Sequence, residues 1–171
     1  MQPAVDDDKN NDPEGVEQNI ENILATYTQI THHIVFATKN RERVLDKPRR
    51  EDLFRYIWGI VNNHNCHLFR LNGVEDHLHI LTSVHPTVAL ADLVKAVKTG
   101  SAKWIKENHV FPQFGHWQEG YGAFTHSVRE KDALIEYIKN QEEHHRAVDF
   151  LDEYRKLLRD ADVEFDEKYL L

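Results

Sequence analysis

Two histidines one residue apart, His77 and His79, stand in the run Glu75-Asp76-His77-Leu78-His79-Ile80-Leu81-Thr82. Read as a strand, the period-2 alternation puts His77, His79 and Leu81 on one face and Leu78, Ile80 and Thr82 on the other. Two imidazoles on a stiff backbone can share a metal ion, but a pair is not a site, so a third donor must come from elsewhere. Further along, Tyr137-Ile138-Lys139-Asn140-Gln141 places Tyr137 and Gln141 four residues apart, on one face of a helix. If that face meets the sheet face bearing the histidines, the Gln141 amide oxygen completes an open-sided site for a hard divalent ion, magnesium or manganese. Tyr137 would then stand beside the ion, where a phenolate can attack a phosphodiester in line. The plainer alternative is two polar residues on a wet sheet face, a tyrosine at the rim of the core and a solvated glutamine.

The elements that must position these groups follow from hydrophobic periodicity. Tyr27 to Thr38 is dense in β-branched and aromatic residues and predicts a first strand. Pro48 suits a helix first turn, and Leu53, Tyr56, Ile57, Ile60 and Val61 recur at helical spacing up to Asn65. Cys66 to Val74 and Asp76 to Val84 predict two further strands, with Asn72-Gly73 as the hairpin signal. A second helix runs after Pro86 to about Asn108, and a short strand covers Ala123 to Val128. Arg129 to Arg146 predicts one continuous helix with Ala133, Leu134 and Ile138 inward, followed by a short helix from Asp149 to Arg159. The order β-α-β-β-α-β predicts an α+β fold of the ferredoxin-like, split βαβ kind: an antiparallel sheet, helices on one face, and additional C-terminal helices.

Charge is unevenly spread. The formal net charge is −8, yet residues 1–24 hold seven acids against one Lys and residues 149–171 hold eight against four bases. The body, 25–148, carries fourteen acids, sixteen bases and all twelve His. Three segments are therefore expected: an acidic tail (1–24), a functional domain (25–148) and an acidic C-terminal helical extension (149–171). A near-neutral body can still present a basic groove to phosphates. Candidate contacts are Arg41, Arg43, Arg49 and Arg50 after the first strand, and Lys95, Lys98 and Lys103 along the second helix. Tyr121 is a candidate for stacking on unpaired bases. The single Cys66 excludes an internal disulfide and reads as a buried small residue. No apolar run is long enough to span a bilayer and no leader pattern is visible, so a soluble cytoplasmic protein without a membrane partner is expected.

Four separated stretches, Thr31 to Arg43 (THHIVFATKNRER), Asp76 to Leu81 (DHLHIL), Trp117 to Phe124 (WQEGYGAF) and Tyr137 to Gln141 (YIKNQ), together resemble the single-tyrosine HUH transposases of the smallest bacterial insertion sequences. These are the IS200-like transposases, including those associated with repetitive extragenic palindromes. The resemblance implies that His77 and His79 are metal ligands, Gln141 a third ligand, and Tyr137 the nucleophile that forms a 5′-phosphotyrosine link. It also implies single-stranded DNA bearing hairpins as partner, Mg2+ or Mn2+ as cofactor, no small-molecule cofactor, and a homodimer. Two features depart from the pattern: the acidic amino-terminal tail, and His126 in the strand before the tyrosine helix. Alternatives of the same chemistry are replication-initiator and relaxase-type nickases, which are usually longer. A histidine-triad phosphotransferase is disfavoured because position 81 is Leu. A catalytically silent, domesticated hairpin-binding protein is the alternative from another class.

Overall fold

The computed structural model describes residues 27–170, so the acidic amino-terminal tail lies outside the described residues. Along the chain come β1 (Thr31–Ala37), α1 (Lys47–Asn63), β2 (His67–Gly73), β3 (His77–Ser83), α2 (Leu90–Glu107), β4 (Gly122–His126), α3 (Lys131–Lys139), α4 (Gln141–His144) and α5 (Phe150–Asp160). The four strands form one antiparallel sheet in the order β2-β3-β1-β4, the split βαβ arrangement read from the sequence.

Strand alternation divides the sheet into two unlike faces. On one, Ile34, Phe36, Leu71, Leu78 and Ile80 pack with Leu53, Ile57 and Val61 of α1 and with Leu93, Val94, Val97 and Ile105 of α2. Trp117 joins this core edge-on to Phe36, and its indole Nε1 donates to Ser101 Oγ at 2.9 Å, so the ring's one polar atom is satisfied inside. Cys66 is buried here too.

The second face carries two separate apolar patches. Val35, Ala37 and Phe124 meet Phe150, Tyr154 and Leu158 of α5. Leu81 meets Leu134 and Ile138 of α3. The register pairs His33 with Leu81, Val35 with His79 and Ala37 with His77, so three imidazoles stand in the gap between the patches. Gly122 lies under Tyr154, whose ring would be 2.8 Å from any Cβ placed there, and its bare backbone lets α5 dock. Ala133, expected inward on α3, is exposed, whereas Leu134 and Ile138 face the sheet.

Two local readings are corrected. Asn72 and Gly73 stay in the ladder, opposite His79 and Leu78, and the chain reverses at Val74–His77, where Val74 N donates to His77 O. Gly73 is needed for close approach: a Cβ there would lie 2.3 Å from the His77 carbonyl oxygen. The long helix predicted through Arg146 also breaks, at Asn140. The reason is Asn72, whose Nδ2 donates to the carbonyls of Ile138 and Lys139 at 3.0 and 2.9 Å. A continuous helix would have given those carbonyls to the N–H groups of residues 142 and 143.

Candidate metal and nucleophile site

His77 and His79 project from β3 at 0% exposure, and each has its Nδ1 engaged. His77 Nδ1 lies 2.7 Å from Asp76 Oδ1, and His79 Nδ1 lies 2.9 Å from His33 Nε2. The Asp76 carboxylate holds the His77 proton at Nδ1 and so leaves its Nε2 a lone pair, and the Nε2 atoms of both rings lie within 3.7 Å of Glu153 Oε2. Both Nε2 atoms are buried without a hydrogen-bond partner among the described residues, and so is the Gln141 amide Oε1. Buried polar groups are seldom left unpaired, so two orphaned Nε2 atoms that lie within 4.8 Å of each other and of Glu153 ask for a cation.

Opposite them stands Glu153 of α5, a carboxylate 3% exposed. Its two oxygens have different partners. Oε1 accepts the Tyr137 hydroxyl and the Gln141 Nε2 at 3.0 Å, with His144 Nε2 at 3.5 Å. Oε2 faces three imidazoles: His145 Nε2 at 2.9 Å, His79 Nε2 at 3.5 Å and His77 Nε2 at 3.7 Å. Burial alone would raise this carboxyl, but the hydrogen bond from His145 and the nearby His79 ring hold it far below the usual carboxylate range.

The neighbours respond in kind. Burial pushes His79 down to about 4, against the opposing pull of Glu153. Burial and then the Glu153 charge raise the Tyr137 phenol well above its ordinary value. His145 is raised, because the Glu153 hydrogen bond and charge outweigh its burial.

Four groups, His77, His79, His145 and Glu153, each offer one ligand atom within 4.8 Å of all the others. Donors about 2.1 Å from a common ion sit at most about 4.2 Å apart, so small side-chain movements close this set. The donor chemistry therefore fits a divalent ion.

The structure brings Tyr137, His77, His79 and Gln141 to one side of the sheet in a single chain, with the Tyr137 ring centroid 6.1 Å from that of His79. Solvent reaches Tyr137 through a cleft lined by Leu134, His144, Val148, Lys156 and Leu157. Residues 26–141 match a protein family described as "Transposase IS200 like". The chain belongs to the IS200-like transposase family. The transposase is 26% identical over 120 residues to the ISDra2 transposase TnpA of Deinococcus radiodurans, covering 66% of this chain and 84% of the relative. A crystal structure of a candidate transposase from Deinococcus radiodurans R1 superposes with a TM-score of 0.54 at 28% identity, covering 68% of this chain and 95% of the other. The REP-associated tyrosine transposase bound to a REP hairpin shares the fold, with a TM-score of 0.55 at 12% identity over 73% of this chain and 76% of that one.

Other candidates read from the transposase sequence are dispersed. Arg50, expected among phosphate contacts, turns inward: it is 4% exposed, and Nη1 donates to the Gly73 carbonyl at 2.6 Å. Lys98 is likewise engaged, its Nζ donating to the carbonyls of Gln118 and Gly120. Arg43 pairs with Glu75 and Arg49 with Asp52 at the surface. Arg41 is half-buried, Lys95 and Lys103 are exposed on α2, and Tyr121 packs partly against the core. His126 lies 5.8 Å from the His33 ring, beyond the carboxylate cluster.

Residues missed by sequence reasoning are Glu153, His145, Asp76, His33 and Asn72. One signal for Glu153 was available. Phe150, Tyr154, Leu157 and Leu158 form an apolar stripe on α5, and Glu153 falls inside it. A carboxylate at such a position is buried, and a buried carboxylate needs partners. An open groove beside edge strand β2 also went unforeseen, with Lys47, Arg55, Arg70, Phe54, Trp58 and Phe69 among its walls and Trp58 55% exposed.

Proposed function

We propose that this transposase cleaves and rejoins single-stranded DNA, with Tyr137 as nucleophile and a divalent ion, Mg2+ or Mn2+, held by His77, His79 and Gln141. The observation that carries the reading is the convergence, within one chain, of the Tyr137 phenol with two buried imidazoles whose Nε2 atoms lack partners. A bound ion would supply charge neutralisation at the scissile phosphate and polarise its leaving oxygen.

The chain's own groups do the rest. The phenol oxygen of Tyr137 attacks phosphorus, the bond to the 3′ oxygen breaks, and a 5′-phosphotyrosine ester and a free 3′ hydroxyl result. The ester conserves the bond energy for rejoining, when a 3′ hydroxyl displaces the tyrosine. Tyr137 now donates to Glu153, so that hydrogen bond must open before the phenol can reach a phosphorus. Asp76 fixes the His77 tautomer, His33 orients the His79 ring, and Asn72 fixes the end of α3 from which Tyr137 and Gln141 are set.

The substrate reading is DNA with hairpins, supported by the REP hairpin held by the relative of the same fold. The β2-edge groove suits it, since its bases can neutralise phosphates and Trp58 and Phe69 can stack on unpaired bases. Cleavage is read as using Tyr137 on its own chain's histidines, with a second copy in a homodimer bringing the second DNA end. Tyr137→Phe tests the assignment. Cleavage of hairpin-bearing single strands and the covalent protein–DNA adduct should both vanish while binding persists, and an adduct that survives the change rejects it.

A further inference from the structure

Resting on the metal reading above, we infer that the C-terminal segment completes the ion site: His145 and Glu153 are ligands alongside His77, His79 and Gln141. Both lie beyond residue 141, where the family match ends.

Three observations carry this. The first is aim. Glu153 spends Oε1 on Tyr137 and Gln141, which leaves Oε2 pointed at three imidazole Nε2 atoms between 2.9 and 3.7 Å away. The second is the orientation of His145. Its Nδ1 lies 2.8 Å from the Val148 carbonyl, which can accept only from an Nδ1–H, so the nitrogen free to ligate is Nε2, whose proton, now donated to Glu153 Oε2 at 2.9 Å, an ion would displace. His145 thus has the acceptor-backed arrangement that His77 has through Asp76. The third is charge. The Nε2 atoms of His77 and His79 are fully buried and unpartnered, facing an ionised carboxylate. A lone pair opposite a carboxylate repels, as at His77, and an ion between them would make that contact attractive.

Helix α5 is held for this role by packing rather than by charge. Phe150 stacks on the His77 ring at 4.1 Å between centroids, and Tyr154 lies against Gly122. Glu153 sits between these two anchors on the same helix face.

The chemical consequence concerns which ion is taken. Two imidazoles and an amide oxygen suit a hard ion, but three imidazoles, a carboxylate and an amide make a five-donor set with most of its affinity in nitrogen. Such a set would favour Mn2+, Co2+ and Zn2+ over Mg2+.

The test is direct metal binding by the full chain, without DNA. Calorimetric titration with Mn2+ and with Mg2+, and the visible absorption of the Co2+ adduct, are measured for the wild type, Glu153→Gln, Glu153→Asp, His145→Ala and His77→Ala. The inference expects one tight Mn2+ site, Mg2+ weaker by at least roughly tenfold, and a loss of at least roughly tenfold in Mn2+ affinity for both Glu153→Gln and His145→Ala, with a shifted Co2+ band. Melting temperature without metal identifies any variant that has merely unfolded, and Glu153→Asp, which keeps the charge, should recover part of the affinity. Mn2+ affinity within twofold of wild type in both Glu153→Gln and His145→Ala, with binding abolished in His77→Ala, overturns the C-terminal ligands and leaves the histidine-pair reading standing. Tighter binding by Glu153→Gln also overturns it, by making the carboxylate a competitor. No binding by the wild type overturns both.

Discussion

Arg50→Ala separates a structural role from a DNA-contacting one. The Arg50 side chain is 5% exposed, and its Nη1 donates to the Gly73 carbonyl at 2.6 Å. A hydrogen bond to a charged group contributes about 1.5–3 kcal/mol, and truncation leaves the buried carbonyl unpaired. The ion pairs add less: Glu142 at 3.4 Å and Glu75 at 4.0 Å are 41% and 38% exposed, so both acids rehydrate, and together they contribute about 0–1 kcal/mol. The expected loss is about 2–4 kcal/mol, which for a chain of this length lowers the melting temperature by about 5–15 °C. Arg49→Ala is the control. Arg49 is 51% exposed beside Asp52, and its loss should cost no more than about 0.5 kcal/mol. Urea and thermal unfolding read stability, and titration with labelled single-stranded DNA reads affinity. Arg50 joins the end of β2 to α4, so its loss should also disturb the histidine and glutamine placement, lowering cleavage more than binding. If Arg50→Ala unfolds within about 0.5 kcal/mol of wild type and loses DNA affinity instead, the buried-brace account is refuted.

Further outcomes follow from the same structure. Without metal, stability should fall from pH 7 to pH 5. His79 has a folded pKa of about 4 against an ordinary 6.5, so the unfolded chain binds the proton first and about 2 kcal/mol is lost across that window. His33, also lowered by burial, acts in the same sense, whereas His145 is raised and opposes them by favouring the fold at low pH. A urea midpoint that stays level or rises at pH 5 would sink this balance. Phe150→Ala, at a site 3% exposed against His77, should cost about 3–5 kcal/mol in urea unfolding; a loss below about 1 kcal/mol would mean α5 is not anchored there. Gly73→Ala should destabilise by about 1–3 kcal/mol, because its Cβ meets the His77 carbonyl; an unchanged melting temperature would contradict the close approach. DNA affinity should drop steeply between low and moderate salt, and a flat response in filter binding would point to a partner other than phosphate.

Much of this was legible in the sequence because it is local. The alternation around His77 and His79 gives strand and face, helical spacing gives α1 and α2, and the four-residue step from Tyr137 to Gln141 puts both on one side even though α3 and α4 are separate helices. The order of these signals suffices for a split βαβ sheet, since short connections leave few ways to pair the strands. Tertiary structure alone decided the rest, because it depends on which groups meet across long chain separations. Asn72 ends α3 from 66 residues away, Arg50 points inward because the Gly73 carbonyl needs a donor, and Glu153 reaches the histidines because Phe150 and Tyr154 dock α5 on the sheet. Residue type and spacing record what a side chain can do; whether a carboxylate stands in water or between three imidazoles is set by the fold, and in the buried case the cost of desolvation makes the partners obligatory.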